Sequence, residues 1–166
     1  PRSPISSSSS RRRKRPLNED VLDMHEPVHA DAEWFTAVVS REVEQLADQA
    51  RARGSLDWDA FSGAFWRAVR TITLGEQACE DERLTAVLNM LRRDGNWSSF
   101  RPRRTRLRHE LEARLSEHVA RAPDPTLAAR ARRSAVDVDP TGQVPHWLFA
   151  FDAAGIAAFR ALAVVT

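Results

Sequence analysis

The sequence predicts an all-α protein on three observations. Apolar residues recur at three- and four-residue spacing through successive stretches, which is the period of a helix with one buried face. These stretches end at Gly54, Gly75, Gly95 and the Pro123/Pro125 pair, residues that stop helices. The last stretch, Val144 to Val165, is apolar almost all round and far longer than a buried strand. A composition of 42% hydrophobic and 29% charged over 166 residues excludes collagen, a disulfide scaffold and a wholly disordered chain.

The elements follow in order. Residues 1–10 hold five consecutive serines from Ser6 and no apolar period, so they read as a flexible N-terminal segment, and 11–166 as one helical domain. From Asp31 to Arg53, Trp34, Phe35, Val38, Val39, Val43 and Leu46 fall at helical spacing. Ser55-Leu-Asp57 opens a second helix carrying Trp58, Phe61, Phe65, Trp66, Val69 and Ile72, a stripe that suits a core. A third spans roughly Asp81 to Arg93 with Leu84, Val87, Leu88 and Leu91 on one face. A fourth runs from about Arg103 to Arg121, with Leu107, Leu111, Leu115 and Val119 at successive i+4 positions and Glu110–Arg114 as a supporting ion pair. A short helix near Thr126 to Arg133 precedes a loop at 137–140.

The formal net charge of +2 conceals strong segmentation: +6 over residues 1–15, −8 over 16–100, +6 over 101–133 and −2 over 134–166. Two basic runs stand out, Arg11 to Arg15 and the arginines at 101, 103, 104, 106 and 108. Arginine accounts for all 25 basic residues except Lys14, a usage that suggests a GC-rich bacterial genome rather than a function. The single cysteine, Cys79, cannot form an intramolecular disulfide or a Cys₂ zinc site, and suits a reducing cytoplasm.

Between Trp147 and Val165 the strongly polar side chains are Asp152 and Arg160. Each would cost about 2.5–3.5 kcal/mol at a bilayer centre, so a buried central helix is the expected reading and no membrane span is expected. A carboxylate on such a helix must be paired, protonated or set against a polar cavity. Ala150, Ala154, Ala157, Ala158 and Ala161 share one face. That face admits close approach by a flat ligand or equally by another helix.

The run from Gln143 to Val165, QVPHWLFAFDAAGIAAFRALAVV, resembles the long I helix of bacterial cytochrome P-450 haem-thiolate monooxygenases. That helix carries a small-Gly-x-acid-Thr motif. Aligned so, Ala150 stands at the motif glycine, Asp152 at the acid and Ala153 at the threonine. Upstream, residues 14–22 resemble the C helix, Asp31 to Arg53 helix D, and 57–75 helix E, with later segments resembling F, G and H. The resemblance implies a partial cytochrome P-450 fold from the C helix to the I helix. It also implies that the Glu-x-x-Arg pair and the Phe-x-x-Gly-x-x-x-Cys haem loop are missing from this stretch.

What the resemblance implies about chemistry is specific. The cofactor would be haem b, with Lys14 or Arg15 pairing a propionate and Ala150 and Ala154 lying beside the ring. Asp152 would be the acid that helps deliver protons during oxygen activation; Ala153 lacks the threonine hydroxyl, so ordered water or a substrate hydroxyl must replace it. Leu88, Leu91 and Trp97 would touch the small organic substrate. Ferredoxin and its reductase would supply electrons, and dioxygen would be the oxidant. Cys79 lacks the haem-loop pattern and reads as incidental. His146, at the head of the last helix, reads as a polar contact rather than a metal ligand, and no metal site is expected from protein side chains alone.

Two other classes stay open. One is a basic helical protein binding nucleic acid through its arginine runs, although the acidic 16–100 segment would repel a polyanion. The other is an interaction module docking through 147–165. The fragment and module readings share an expectation for this chain by itself: an exposed apolar face on residues 147–165.

Overall fold

The computed structural model describes residues 6–96, 104–136 and 139–165, and within these it contains helices and no strands. The helices are α1 (Ser6–Val21), α2 (Ala32–Arg53), α3 (Trp58–Leu74), α4 (Glu82–Asn96), α5 (Thr105–Arg121), α6 (Leu127–Arg133) and α7 (Val144–Val165), with 3₁₀ turns at Glu76–Ala78 and Pro140–Gly142. The all-α class is therefore observed. α1 takes in Ser6–Ser10, which pattern alone reads as coil. Serine is only mildly unfavourable in a helix, so a helix anchored further along at Leu17 and Val21, both fully buried, can extend through such a run.

Local chemistry sets the boundaries. Asp57 caps α3 by accepting the Ala60 N–H at 2.8 Å, and Thr126 caps α6 by accepting the Ala129 N–H at 3.2 Å. Gly54 ends α2 in the left-handed conformation, φ +73°.

α3 is the central element, packing against α2, α6 and α7. Ala64, Ala68, Val69, Ile72 and Leu74 bury its inner side, while Leu84, Val87 and Leu88 of α4 and Leu111, Leu115 and Val119 of α5 close the other half of the core. Two features depart from the apolar pattern. Val39 and Val43 of α2 are exposed at 43% and 54%, whereas Glu42 between them is buried and accepts from Arg67 Nε of α3 at 2.8 Å. Arg70 of α3 is also buried; its guanidinium donates to the Cys79 carbonyl at 2.7 Å and to Thr85 Oγ1 at 3.1 Å, tying α3 to the start of α4.

A carboxylate fastens α4 to α5. Asp81, just before α4, accepts the Leu84 N–H at 3.1 Å, Arg114 Nη1 at 2.9 and 3.1 Å, and His118 Nε2 at 2.9 Å. Burial pushes its carboxyl up, and the bonds from His118, Leu84 and Arg114 more than reverse that, leaving its pKa below the ordinary aspartate value. Alongside, Glu110 of α5 takes a bidentate bond from Arg83 at 2.7 and 2.8 Å as well as its expected partner Arg114 at 3.5 Å. A second polar knot joins the α1–α2 loop to α6, where Arg130 bonds Asp23, Asp31 and the Asp20 carbonyl.

Candidate functional site

The candidate site is built on α7, and α7 is held along one edge. At its head Val144, Trp147 and Leu148 are buried, and Trp147 Nε1 donates to Asn18 Oδ1 of α1 at 2.9 Å. Further along, contact with α3 passes through Phe151, Gly155 and Phe159, spaced four apart on one face. Gly155 lies against the Phe65 ring so closely that a Cβ there would stand 2.8 Å from Cε1. Phe159 completes an aromatic group with Trp58 and Phe61, ring centroids 5.2 and 5.1 Å away.

The rest of the helix is open to solvent. Ala150, Ala153, Ala154, Ala157, Ala158 and Ala161 are all exposed. The expected buried central helix is thus buried only at its head and along one edge. Its composition is apolar all round, but the elements packed on it cover one side. The exposed apolar face expected for 147–165 is observed over this outer side.

Asp152 meets one of the three options open to a carboxylate on such a helix: it is paired. Its side chain is 16% exposed, and Oδ2 accepts from Arg92 Nη1 of α4. This long-range partner sits 60 residues away in the sequence and is not marked by any local pattern. Because Arg92 is 39% exposed, solvent screens the pair. Asp152→Asn and Arg92→Ala are each expected to cost about 0.5–1 kcal/mol, and the double variant about as much as one of them. Urea denaturation of the four proteins checks this; fully additive losses would show that the pair contributes no coupling.

The other expected residues are distributed as follows. Ala153 and Ala154 follow Asp152 on the open side with Ala150. Lys14 is half-buried at the head of α7, its Nζ donating to the Gly142 carbonyl at 3.5 Å. Gly142 ends the turn just before α7, and Asp152 lies eight residues past the first residue of α7, about 12 Å of helical rise, so Lys14 and Asp152 mark opposite ends of one stretch. Arg15 is exposed and paired with Glu19 at 2.6 Å. Leu88 is 2% exposed and lies in the main core cluster. Leu91, one turn on, is half-buried and borders a groove. Trp97 lies outside the described residues, as do Arg101 and Arg103.

Cys79 is half-buried in the loop after the 3₁₀ turn. Burial and its hydrogen bond to Glu80 at 3.3 Å push its thiol up, favouring the protonated form rather than a thiolate. At His146, partial burial and then the nearby Lys14 charge hold the imidazole below its ordinary pKa. Among the described residues no group of three or more His, Cys, Asp or Glu side chains is placed to hold a metal ion.

One further surface bears on α7. A nearly wholly apolar hollow of about 140 Å³ opens between α2, α3 and α7, bordered by Val39, Val43, Phe61, Phe65 and Phe151, with Glu42 at its wall. It continues the uncovered side of the α2–α3–α7 packing. No protein-family model, curated protein or solved structure matches the chain.

Proposed function

We propose that the chain is the C-helix to I-helix segment of a haem-thiolate monooxygenase of the bacterial cytochrome P-450 type, acting on a small organic substrate. The observation that carries this reading is the state of α7. An apolar helix rests by one edge on α3, presents a small-residue face outward, and holds a single carboxylate beside that face. Ala150, Ala153 and Ala154 leave room for a flat ring, because no side chain longer than a methyl stands there. Haem b, when bound, supplies the oxygen-activating chemistry, and its cysteine ligand would come from outside this stretch.

The chain's own residues have narrower tasks. Asp152 holds a proton-accepting carboxylate at the edge of the open face, and Arg92 fixes its orientation. Ala153 offers no hydroxyl, so a proton reaching the face from Asp152 must pass through water or the substrate itself. Lys14, which reaches the turn just before α7, is a cation suited to a carboxylate at the ring's far edge. The hollow between α2, α3 and α7, with Val39 and Val43 exposed beside it, is where this reading expects a later helix to pack.

Two measurements test the proposal. The reading frame beyond Thr166 is expected to encode Glu-x-x-Arg and then Phe-x-x-Gly-x-x-x-Cys; a frame lacking both overturns it. The complete polypeptide, reduced under carbon monoxide, is expected to show a thiolate-type Soret band. The same open face also favours a second reading, a module that docks a partner helix on 147–165, and a complete polypeptide that binds no haem would favour it.

A further inference from the structure

A groove of about 430 Å³ lies where α4, α5, the Pro140–Gly142 turn and the first turn of α7 meet. Its volume is within the range of small-molecule sites. The floor is apolar: Leu111 and Leu115 are 8% and 2% exposed, and Leu91 and Pro145 border them.

The rim is charged, and unevenly so. Glu112 of α5 and Asp139 of the turn border the groove, with Arg108 one helical turn before Glu112. The rim therefore carries two carboxylates against one guanidinium. Most carboxylates near the core of this chain are consumed by arginines, as Glu42, Asp81, Glu110 and Asp152 are. Glu112 and Asp139 make no ion pair with another described residue; Asp139 Oδ1 accepts the Thr141 N–H at 2.9 Å, which leaves its second oxygen available. Ser116 and Thr141 add hydroxyls to the same rim.

An apolar floor beside two carboxylates that lack ion-pair partners selects for shape and sign together, with Lys14 Nζ, 3.5 Å from the carbonyl of the lining residue Gly142, the second cation near it. We propose that this groove binds a small apolar molecule bearing a protonated amine, its body on Leu111 and Leu115 and its ammonium group between Glu112 and Asp139. The inference does not depend on haem, because every residue it uses is present and placed in this chain.

The test is a binding titration followed by NMR on the intact chain, with 2-phenylethylamine as the probe. The neutral analogue 2-phenylethanol and the anionic 3-phenylpropionate share its body. The amine is expected to bind about tenfold more tightly than the alcohol, the most that two exposed ion pairs give, with the acid weakest. Glu112→Gln with Asp139→Asn is expected to bring amine and alcohol to equal affinity while leaving the fold intact, since both side chains are exposed. Raising the salt concentration is expected to narrow the gap in the unsubstituted chain. Equal binding of the three probes, no saturable binding, or an amine preference that survives the double substitution would overturn the proposal.

Discussion

Gly75→Ala is expected to lower folding stability by about 3–5 kcal/mol, a large part of what a domain of this size has. Two separate costs combine. Gly75 ends α3 at φ +107° and ψ 170°, a region that side chains of L-residues essentially do not enter. A Cβ there would also stand 2.6 Å from Pro123 Cδ and 2.6 Å from Gln77 Oε1. Gln77 can swing away, but the Pro123 ring is fixed to the backbone at the end of α5, so the α5–α6 corner would have to move. Gly54 is the control: its φ is +73° and nothing lies within 4 Å of a built Cβ. Gly54→Ala carries the left-handed cost alone, about 1 kcal/mol. Urea midpoints of the two variants measure the difference, and a Gly75→Ala loss no greater than that of Gly54→Ala would refute the close approach.

The contrast between these glycines shows what a sequence can carry. Both are legible as helix stops, because the break in apolar period and the glycine coincide. The four-residue run of Leu107, Leu111, Leu115 and Val119 was likewise legible, and three of its members are buried with Leu107 packed beside them. That one of the glycines also touches a proline 48 residues later is a matter of tertiary placement, on which periodicity is silent. The same limit explains α2. Val39 and Val43 fit the apolar stripe yet face outward, whereas Glu42 turns inward because Arg67 on α3 meets it. Polarity marks a residue's preference in water, and a partner on another helix reverses it.

The candidate site divides the same way. Asp152 stood out because a carboxylate on an apolar helix needs a partner, and a partner exists. Arg92 could not be named, since arginines are abundant and the pairing spans 60 residues. All-round apolarity predicted burial of α7, but composition records what a surface can pack against, not what is there to cover it. Leu88 and Leu91 differ by three positions, so they were alike in the sequence; a rotation about the α4 axis puts one in the core and the other at a groove.

Trp147→Ala is expected to cost about 3–5 kcal/mol and to loosen the head of α7. Trp147 is 5% exposed among the core side chains, so truncation removes a large apolar contact and leaves a cavity. It also orphans Asn18 Oδ1, which accepts the indole N–H at 2.9 Å. Trp147→Phe separates the two effects: most of the packing remains and the hydrogen bond goes, for a loss of about 1 kcal/mol plus any residual cavity. The consequence for the site follows from where the pins on α7 lie. Trp147 secures the helix to α1, Asp152 secures it to α4 through Arg92, and Phe159 secures it to α3. With the first pin gone, amide exchange should quicken over residues 148–152, whose backbone donors lie in the first turns, more than over 156–160, where Phe159 still holds the aromatic group. Uniform acceleration along α7 would mean that the helix is held as one unit rather than at separate points. A loss below about 1 kcal/mol in Trp147→Ala would remove Trp147 as the anchor of the helix that carries Asp152.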